Sequence, residues 1–386
     1  MGAVGPAVGS PAGNGRGAID TTRRTRVRSL DGLRAVAILL VIGLHTFSWP
    51  VNGGVGVDLF FVLSGYLITT ILLDEHAANG SISLRAFYAR RARRLLPALV
   101  VMLVCCLGVA YAIHQPERLS RAALSSLFGL TFTTNIVMVW TSWPHSFGLQ
   151  HLWSLAEEEQ FYLLWPFALL FLAKRRLHIA ASVLLLAAVG VVALQLLLAA
   201  DGAGGARIEF GPDTRSFGVI VGCLLAVVLR TELAHNLTRA SRLLAPVAVL
   251  VMAFVAWHSF PDVFAGWTAI FAVAAAIVLV RALDPSSWIG AVLAFGPIAY
   301  LGRISYGLYL WHYPLLVSAG LYFGSTMVKL EAVGLALLAA IGSHHLVEKP
   351  FLRWRPQSSS ARRAPVPLQT PRVALVSLYL HREAVS

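Results

Sequence analysis

An arginine and a histidine, Arg34 and His45, bracket ten consecutive apolar or glycine residues in the stretch RSLDGLRAVAILLVIGLH. On a helix, at about 100° and 1.5 Å per residue, the two return to nearly one face roughly 16 Å apart, and Asp31 falls close to that face. An ionisable side chain is costly in an apolar slab, so it turns toward a protein interior or a wet cavity and marks function by default. A neutral imidazole in a partly dry site can take a proton from a hydroxyl, which is the task of a general base. A histidine merely satisfied by a neighbouring helix is the plainer reading; the company of Arg34 and Asp31 on one face weighs against it.

Three further clusters bear on the same chemistry. In HLWSLAEEEQFYLLWP, residues 151–166, Ser154 followed three residues later by Glu157 reads as a capping box. That places Glu157, Glu158 and Glu159 in a first helical turn, where the dipole favours negative charge. Simple capping would explain them. Equally, Ser154, Glu158 and Tyr162 share one helical face, and a carboxylate on it could orient an imidazole. In FYARRARRLLPAL, residues 87–99, Arg91 and Arg94 stand at helical spacing, and the guanidinium fork matches phosphate oxygens. A solvated basic loop would look the same. In GRISYGLYLWHYP, residues 302–314, Ser305, Tyr309 and His312 line one face, against a background of ordinary interfacial aromatics. Asp58 lies near the start of one apolar run, Asp213 and Arg215 open another, and Glu348 closes the last.

The elements that must position these residues are membrane helices. Apolar residues make up 57% of the chain and charged residues 13%, far from the quarter or so of charge in a soluble domain. Apolar runs of about 17 to 25 residues recur, the length that crosses roughly 30 Å of hydrocarbon. The alternation of an outer-membrane barrel is absent. The net charge of +13 argues for membrane loops rather than nucleic acid, because the arginines sit in short clusters beside apolar runs. Cys105, Cys106 and Cys223 all fall within apolar segments, so neither a disulfide framework nor a zinc site is expected.

These features predict an all-α polytopic integral membrane protein of about ten transmembrane helices with both termini cytoplasmic. The expected helices cover about 33–49, 55–73, 95–113, 152–173, 179–200, 214–229, 243–258, 267–283, 304–323 and 328–346. Residues 124–140, with Thr131, Thr133, Thr134 and Asn135, read as re-entrant or lying on the outer side, since a full crossing would put Lys174, Arg175 and Arg176 outside. Residues 285–303 read as interfacial. Residues 1–29 read as a disordered basic leader, 30–352 as the membrane domain and 353–386 as a basic, disordered cytoplasmic tail. The first apolar run is too long for a signal peptide.

Taken in order, LDGLRAVAILLVIGLH, GGVGVDLFFVLSGYLI, FYARRARRLLPAL, WSLAEEEQFYLLWP, PDTRSFGVIVGCLLA, GRISYGLYLWHYP and VEKP resemble the acyltransferase 3 family of bacterial integral-membrane O-acyltransferases. The resemblance runs from Leu30 to about Phe351. It implies transfer of an acetyl or other short acyl group from cytoplasmic acyl-CoA to a hydroxyl of a sugar, glycan or macrolide, in the bacterial plasma membrane. It makes Arg34 and His45 the essential pair, with Glu158 the motif glutamate and Glu157 a departure from the usual apolar residue. Arg91 and Arg94 correspond to its Arg-x-x-Arg. Asp31, Asp58, Asp213, Arg215, Ser305, Tyr309 and His312 are carried over as substrate-binding residues.

The expected mechanism docks the CoA phosphates near Arg91 and Arg94 and lets His45, oriented by Glu158, deprotonate the acceptor; a covalent acyl-histidine stays open. No metal or tightly bound cofactor is called for, and the oligomeric state is unspecified. A membrane domain acting alone would fit the antibiotic-modifying members. A transporter or lipid flippase is the alternative, although no repeat relates the two halves.

Overall fold

The computed structural model describes residues 27–141, 148–259, 264–320 and 324–353, so nearly all of the expected leader and tail lies outside the described residues. The described chain is helical, with no strand among its residues. In order the helices are α1 (Arg28–Phe47), α2 (Val55–Asn79), α3 (Leu84–Ala112), α4 (Pro116–Leu130), α5 (Thr134–Trp140) and α6 (Leu152–Leu172). They continue as α7 (Leu177–Ala200), α8 (Gly205–Phe210), α9 (Pro212–Arg215), α10 (Phe217–Val228), α11 (Leu233–Trp257) and α12 (Phe264–Ala282). The last are α13 (Trp288–Leu293), α14 (Gly296–Arg303), α15 (Ser305–Ser318), α16 (Thr326–Gly342), a π-helical turn at Ser343–Glu348, and α17 (Lys349–Arg353).

Six helices are long and apolar enough to cross a membrane: α1, α2, α3, α7, α11 and the run Thr326–Arg353; the bent α4–α5 pair would make a seventh. Each of the ten expected segments overlaps a helix, but α10, α12 and α15 are short, α6 carries three glutamates, and the end of the expected segment 304–323 lies outside the described residues. The burial pattern shows how these helices are layered. The apolar window of α2 is 67% buried, whereas that of α7 is 22% buried. On the peripheral helices Leu186, Leu197, Leu243, Leu250 and Leu338 are all more than 65% exposed. A surface of long aliphatic side chains around a core that holds the charges suits hydrocarbon rather than water.

The core is built on close helix crossings. At the α2–α10 contact a Cβ on Gly65 would stand 2.0 Å from the Val219 carbonyl oxygen, and one on Gly222 would stand 2.1 Å from that of Val62. Only hydrogen side chains let the two backbones meet so closely, which is how membrane helices gain packing without a hydrophobic drive between them. α1 is clasped on its other side by α13 and α14. There Gly302 lies against the Asp31 carbonyl oxygen so closely that any Cβ would overlap it.

Two expectations need correction and a third gains detail. The arginine cluster Arg85–Arg94 is not a loop: α3 begins at Leu84, capped by Ser83 Oγ, which accepts from Ala86 N at 3.4 Å. Arginine is a good helix former, and Arg90 pairs back to Glu75 at 3.0 Å, so the basic run continues the span. Residues 285–303, read only as interfacial, form two short helices, α13 and α14. The capping box does not form, because α6 starts at Leu152 and Ser154 is inside it, its hydroxyl spent on Tyr309; the three glutamates accordingly lie beyond the first turn.

In the expected re-entrant stretch, α4 and α5 are bent by 117°, a broken span or re-entrant loop. The polar residues that made the stretch ambiguous hold the break. Gln160 Nε2 of α6 donates to the Phe132 carbonyl at 2.7 Å and to Asn135 Oδ1 at 2.9 Å. Irregular backbone is tolerated at depth when protein groups satisfy it in this way.

Candidate functional site

α1 is one unbroken helix, so Arg34 and His45 stand roughly 16 Å apart along it. They belong to two separate polar centres.

At the Arg34 end, Nε donates to Ser305 Oγ at 3.3 Å, and the guanidinium lies 5.9 Å from the Phe60 ring centroid. Asp31, Glu158 and Arg94 are close enough to act on it electrostatically. Glu158 Oε1 accepts from Ser64 Oγ and from the Tyr162 hydroxyl at 2.6 Å, with Arg91 Nη2 at 3.7 Å. Arg91 is held hard. Its Nε stands 2.8 Å from both oxygens of Glu159, its Nη2 also reaches that carboxylate, and its Cζ lies 3.3 Å above the Tyr162 ring. Charge-assisted pairing of this kind fixes a guanidinium in both position and plane. Arg91 is therefore turned to carboxylates rather than to phosphates, while Arg94 is exposed.

At the His45 end, Nδ1 lies 3.1 Å from His312 Nε2, and the rings stack with centroids 5.3 Å apart. Tyr313 meets His45 edge-on at 4.9 Å and donates its hydroxyl to Gln150 Oε1 at 2.8 Å. His151 stacks on Tyr313 at 5.2 Å and meets His312 edge-on at 5.5 Å. Neither of its ring nitrogens meets a hydrogen-bond partner, although the residue is only 3% exposed. Gln150 also lines a cavity of about 10 Å³ with Ser125 and Thr134, the size that holds one water.

The three residues of the α15 face each make a contact to α1 or α6: Ser305 reaches Arg34, Tyr309 bonds Ser154 at 2.6 Å and the His151 carbonyl, and His312 reaches His45. One expected contact is absent. Glu158 does not orient His45; it serves the Arg34 centre, and the imidazole is held by His312 instead. The cause is the helical rise, which leaves Glu158 a turn below Ser154 and away from the histidines.

Asp58 and Arg215 form their own buried pair at 2.9 Å, with side chains 3% and 5% exposed, and Arg215 lies 5.7 Å from the Trp153 ring. Asp213 is exposed and carries Arg207 on both oxygens, at 2.8 and 2.6 Å. Partial burial works to raise its pKa, and the hydrogen bonds and charge of Arg207 overcome this, so the carboxyl sits below its usual range. Glu157 is buried near Arg215, away from Glu158.

His151, Ser64 and Tyr313 join these centres without a sequence motif to mark them, and Glu159, expected only as a helix-start charge, pairs with Arg91. His151 was within reach, since it lies one turn before Ser154 on the Glu158 face. Among the described residues no group of three or more His, Cys, Asp or Glu side chains is arranged to hold a metal ion.

Residues 27–343 match a family described as an acyltransferase domain. The chain belongs to this acyltransferase family. It is 38% identical over 319 residues to the peptidoglycan O-acetyltransferase OatA of Listeria monocytogenes, covering 77% of this chain and 50% of that one. It is 32% identical over 343 residues to the O-acetyltransferase OatA of Staphylococcus aureus, covering 83% and 56%. YrhL of Bacillus subtilis is 36% identical over 356 residues, covering 86% and 56%. The chain thus spans about half the length of the curated relatives it matches. No solved structure matches it.

Proposed function

We propose that this acyltransferase domain moves a short acyl group, acetyl foremost, from acyl-CoA to a hydroxyl of a cell-wall glycan, with His45 as general base. The observation that carries the reading is the placing of two partly buried polar centres at the two ends of one helix. One holds Arg34 among Ser305, Glu158 and Arg91; the other presents a histidine with no carboxylate beside it among the described residues. In the plasma membrane, with both termini cytoplasmic and about ten crossings, Arg34 would lie toward the donor and His45 toward the acceptor. The glycan class is drawn from the names of the relatives.

The acceptor oxygen attacks the thioester carbonyl as His45 takes its proton. The tetrahedral adduct collapses to the ester and expels the CoA thiolate, which receives that proton, so ester and thiol are the products. Arg34 and Arg94 are the cations left to meet an anionic donor, since Arg91 is already paired with carboxylate.

The test compares accurate masses of wall glycan fragments from cells making the wild-type protein or His45→Ala, with equal amounts of each in the membrane. An added acyl mass present only with wild type is the expected result. The same profile from both would overturn the role of His45.

A further inference from the structure

The contacts of His312 point to a role that substrate binding does not describe. Its side chain is fully buried, and Nδ1 faces two backbone carbonyl oxygens of its own helix, Tyr309 at 2.7 Å and Leu308 at 3.2 Å. A carbonyl oxygen only accepts, so Nδ1 carries the hydrogen. A neutral imidazole has one donor and one acceptor nitrogen, which makes Nε2 of His312 an acceptor. His45 Nδ1, 3.1 Å away, must then be the donor. In the state competent to take a proton, the lone pair of His45 is therefore on Nε2.

We infer that His312 is the positioning residue of this site, fixing His45 as the Nδ1–H tautomer so that Nε2 is the basic atom, an inference that rests on the acyl-transfer reading. The two rings differ in access as this requires. His312 is 0% exposed, whereas His45 is half-buried and no described residue hydrogen-bonds its Nε2. When Nε2 takes the acceptor's proton, the new cation keeps its Nδ1–H on the His312 lone pair. That neutral imidazole does the orienting that a carboxylate performs in other acid–base pairs. The chain of dependence runs through α15: backbone carbonyls set His312, and His312 sets His45. Tyr313, edge-on to His45, and His151, packed on Tyr313, keep the ring from turning over.

The test combines a spectroscopic and a kinetic reading. Full-length protein labelled with ¹⁵N-histidine in detergent micelles gives the ring nitrogen shifts of His45, assigned by their loss in His45→Gln. In wild type, at a pH where the ring is neutral, Nδ1 is expected to be the protonated nitrogen. An Nε2–H tautomer would overturn the inference whether or not the protein transfers acyl groups. Conversely, an Nδ1–H tautomer in a protein without transfer activity would leave the inference standing and remove the catalytic reading.

In kinetics, His312→Leu is expected to lower kcat about tenfold to a hundredfold, with KM for the acyl donor unchanged. His312→Gln, whose amide oxygen can take the place of Nε2 as acceptor, should recover most of that loss. Unchanged kcat in His312→Leu, or a loss in KM alone, would contradict the role.

Discussion

The Tyr309 hydroxyl stands 2.6 Å from Ser154 Oγ and donates to the His151 carbonyl, so one phenol ties α15 to the start of α6. Removing it in Tyr309→Phe leaves a buried hydroxyl and a buried carbonyl short of a partner. A stability loss of about 1–3 kcal/mol is expected, read from thermal unfolding in detergent. Ser154→Ala removes only one end of the chain and should cost less; equal losses would mean that the phenol does not link the two helices.

Glu157 and Glu158 are separated by the structure, and their variants should separate too. Glu158→Gln weakens the anion that meets Arg91, Tyr162 and Ser64, and should reduce acyl transfer at least about tenfold. Glu157→Gln, in a different part of the core, should stay near wild type. Measuring acylated glycan from each variant at equal membrane levels decides between them, and a reversed order would move the functional carboxylate to Glu157.

The Asp58–Arg215 pair is buried on both sides. Removing one partner strands the other charge, and Asp58→Ala or Arg215→Ala should each cost roughly 3–5 kcal/mol. Replacing both with apolar residues should recover much of this. Thermal unfolding of the two single variants and the double variant gives the comparison, and additive losses would argue against a coupled pair.

The crossing of α2 and α10 predicts a steric result. Gly65→Ala and Gly222→Ala each place a methyl about 2 Å from a backbone oxygen, so the helices must part. Folded, monodisperse protein in detergent should fall sharply for both. Gly190→Ala on α7 meets nothing within 4 Å and should be harmless. A normal yield of Gly65→Ala would contradict the close approach.

Asp213, outside the apolar spans, gives a pH prediction. Its carboxyl lies below the ordinary value near 3.9, so the stability from its pair with Arg207 is present above that pH and is lost as pH falls through the lower folded value. The effect is small because the pair is exposed. Unfolding followed through this acid range should show a component that Arg207→Ala removes.

Much of this was legible in the sequence, for identifiable reasons. The helical period placed Arg34 and His45 on one face, and Ser305, Tyr309 and His312 on another, because 3.6 residues per turn is a local property. Which faces meet is not local. Ser154 and Glu157 have the spacing of a capping box, but the chain enters α6 three residues earlier and Tyr309 claims the hydroxyl. Glu158 was aimed at His45 because both looked catalytic; nothing in the pattern reveals that Ser64 and Tyr162 take its oxygen first. Arg91 has the spacing of a phosphate clamp, and no local pattern reveals that Glu159, from another helix, is its partner.

Because α1 runs unbroken beneath both centres, it acts as a ruler whose divisions are residues. One residue inserted between Ala35 and Leu44 would lengthen the interval by only about 1.5 Å but swing His45 some 100° away from His312. The reach from one centre to the other can therefore be changed only in whole turns. A donor arm that fits the present spacing is measured by the helix, not by the loops around it.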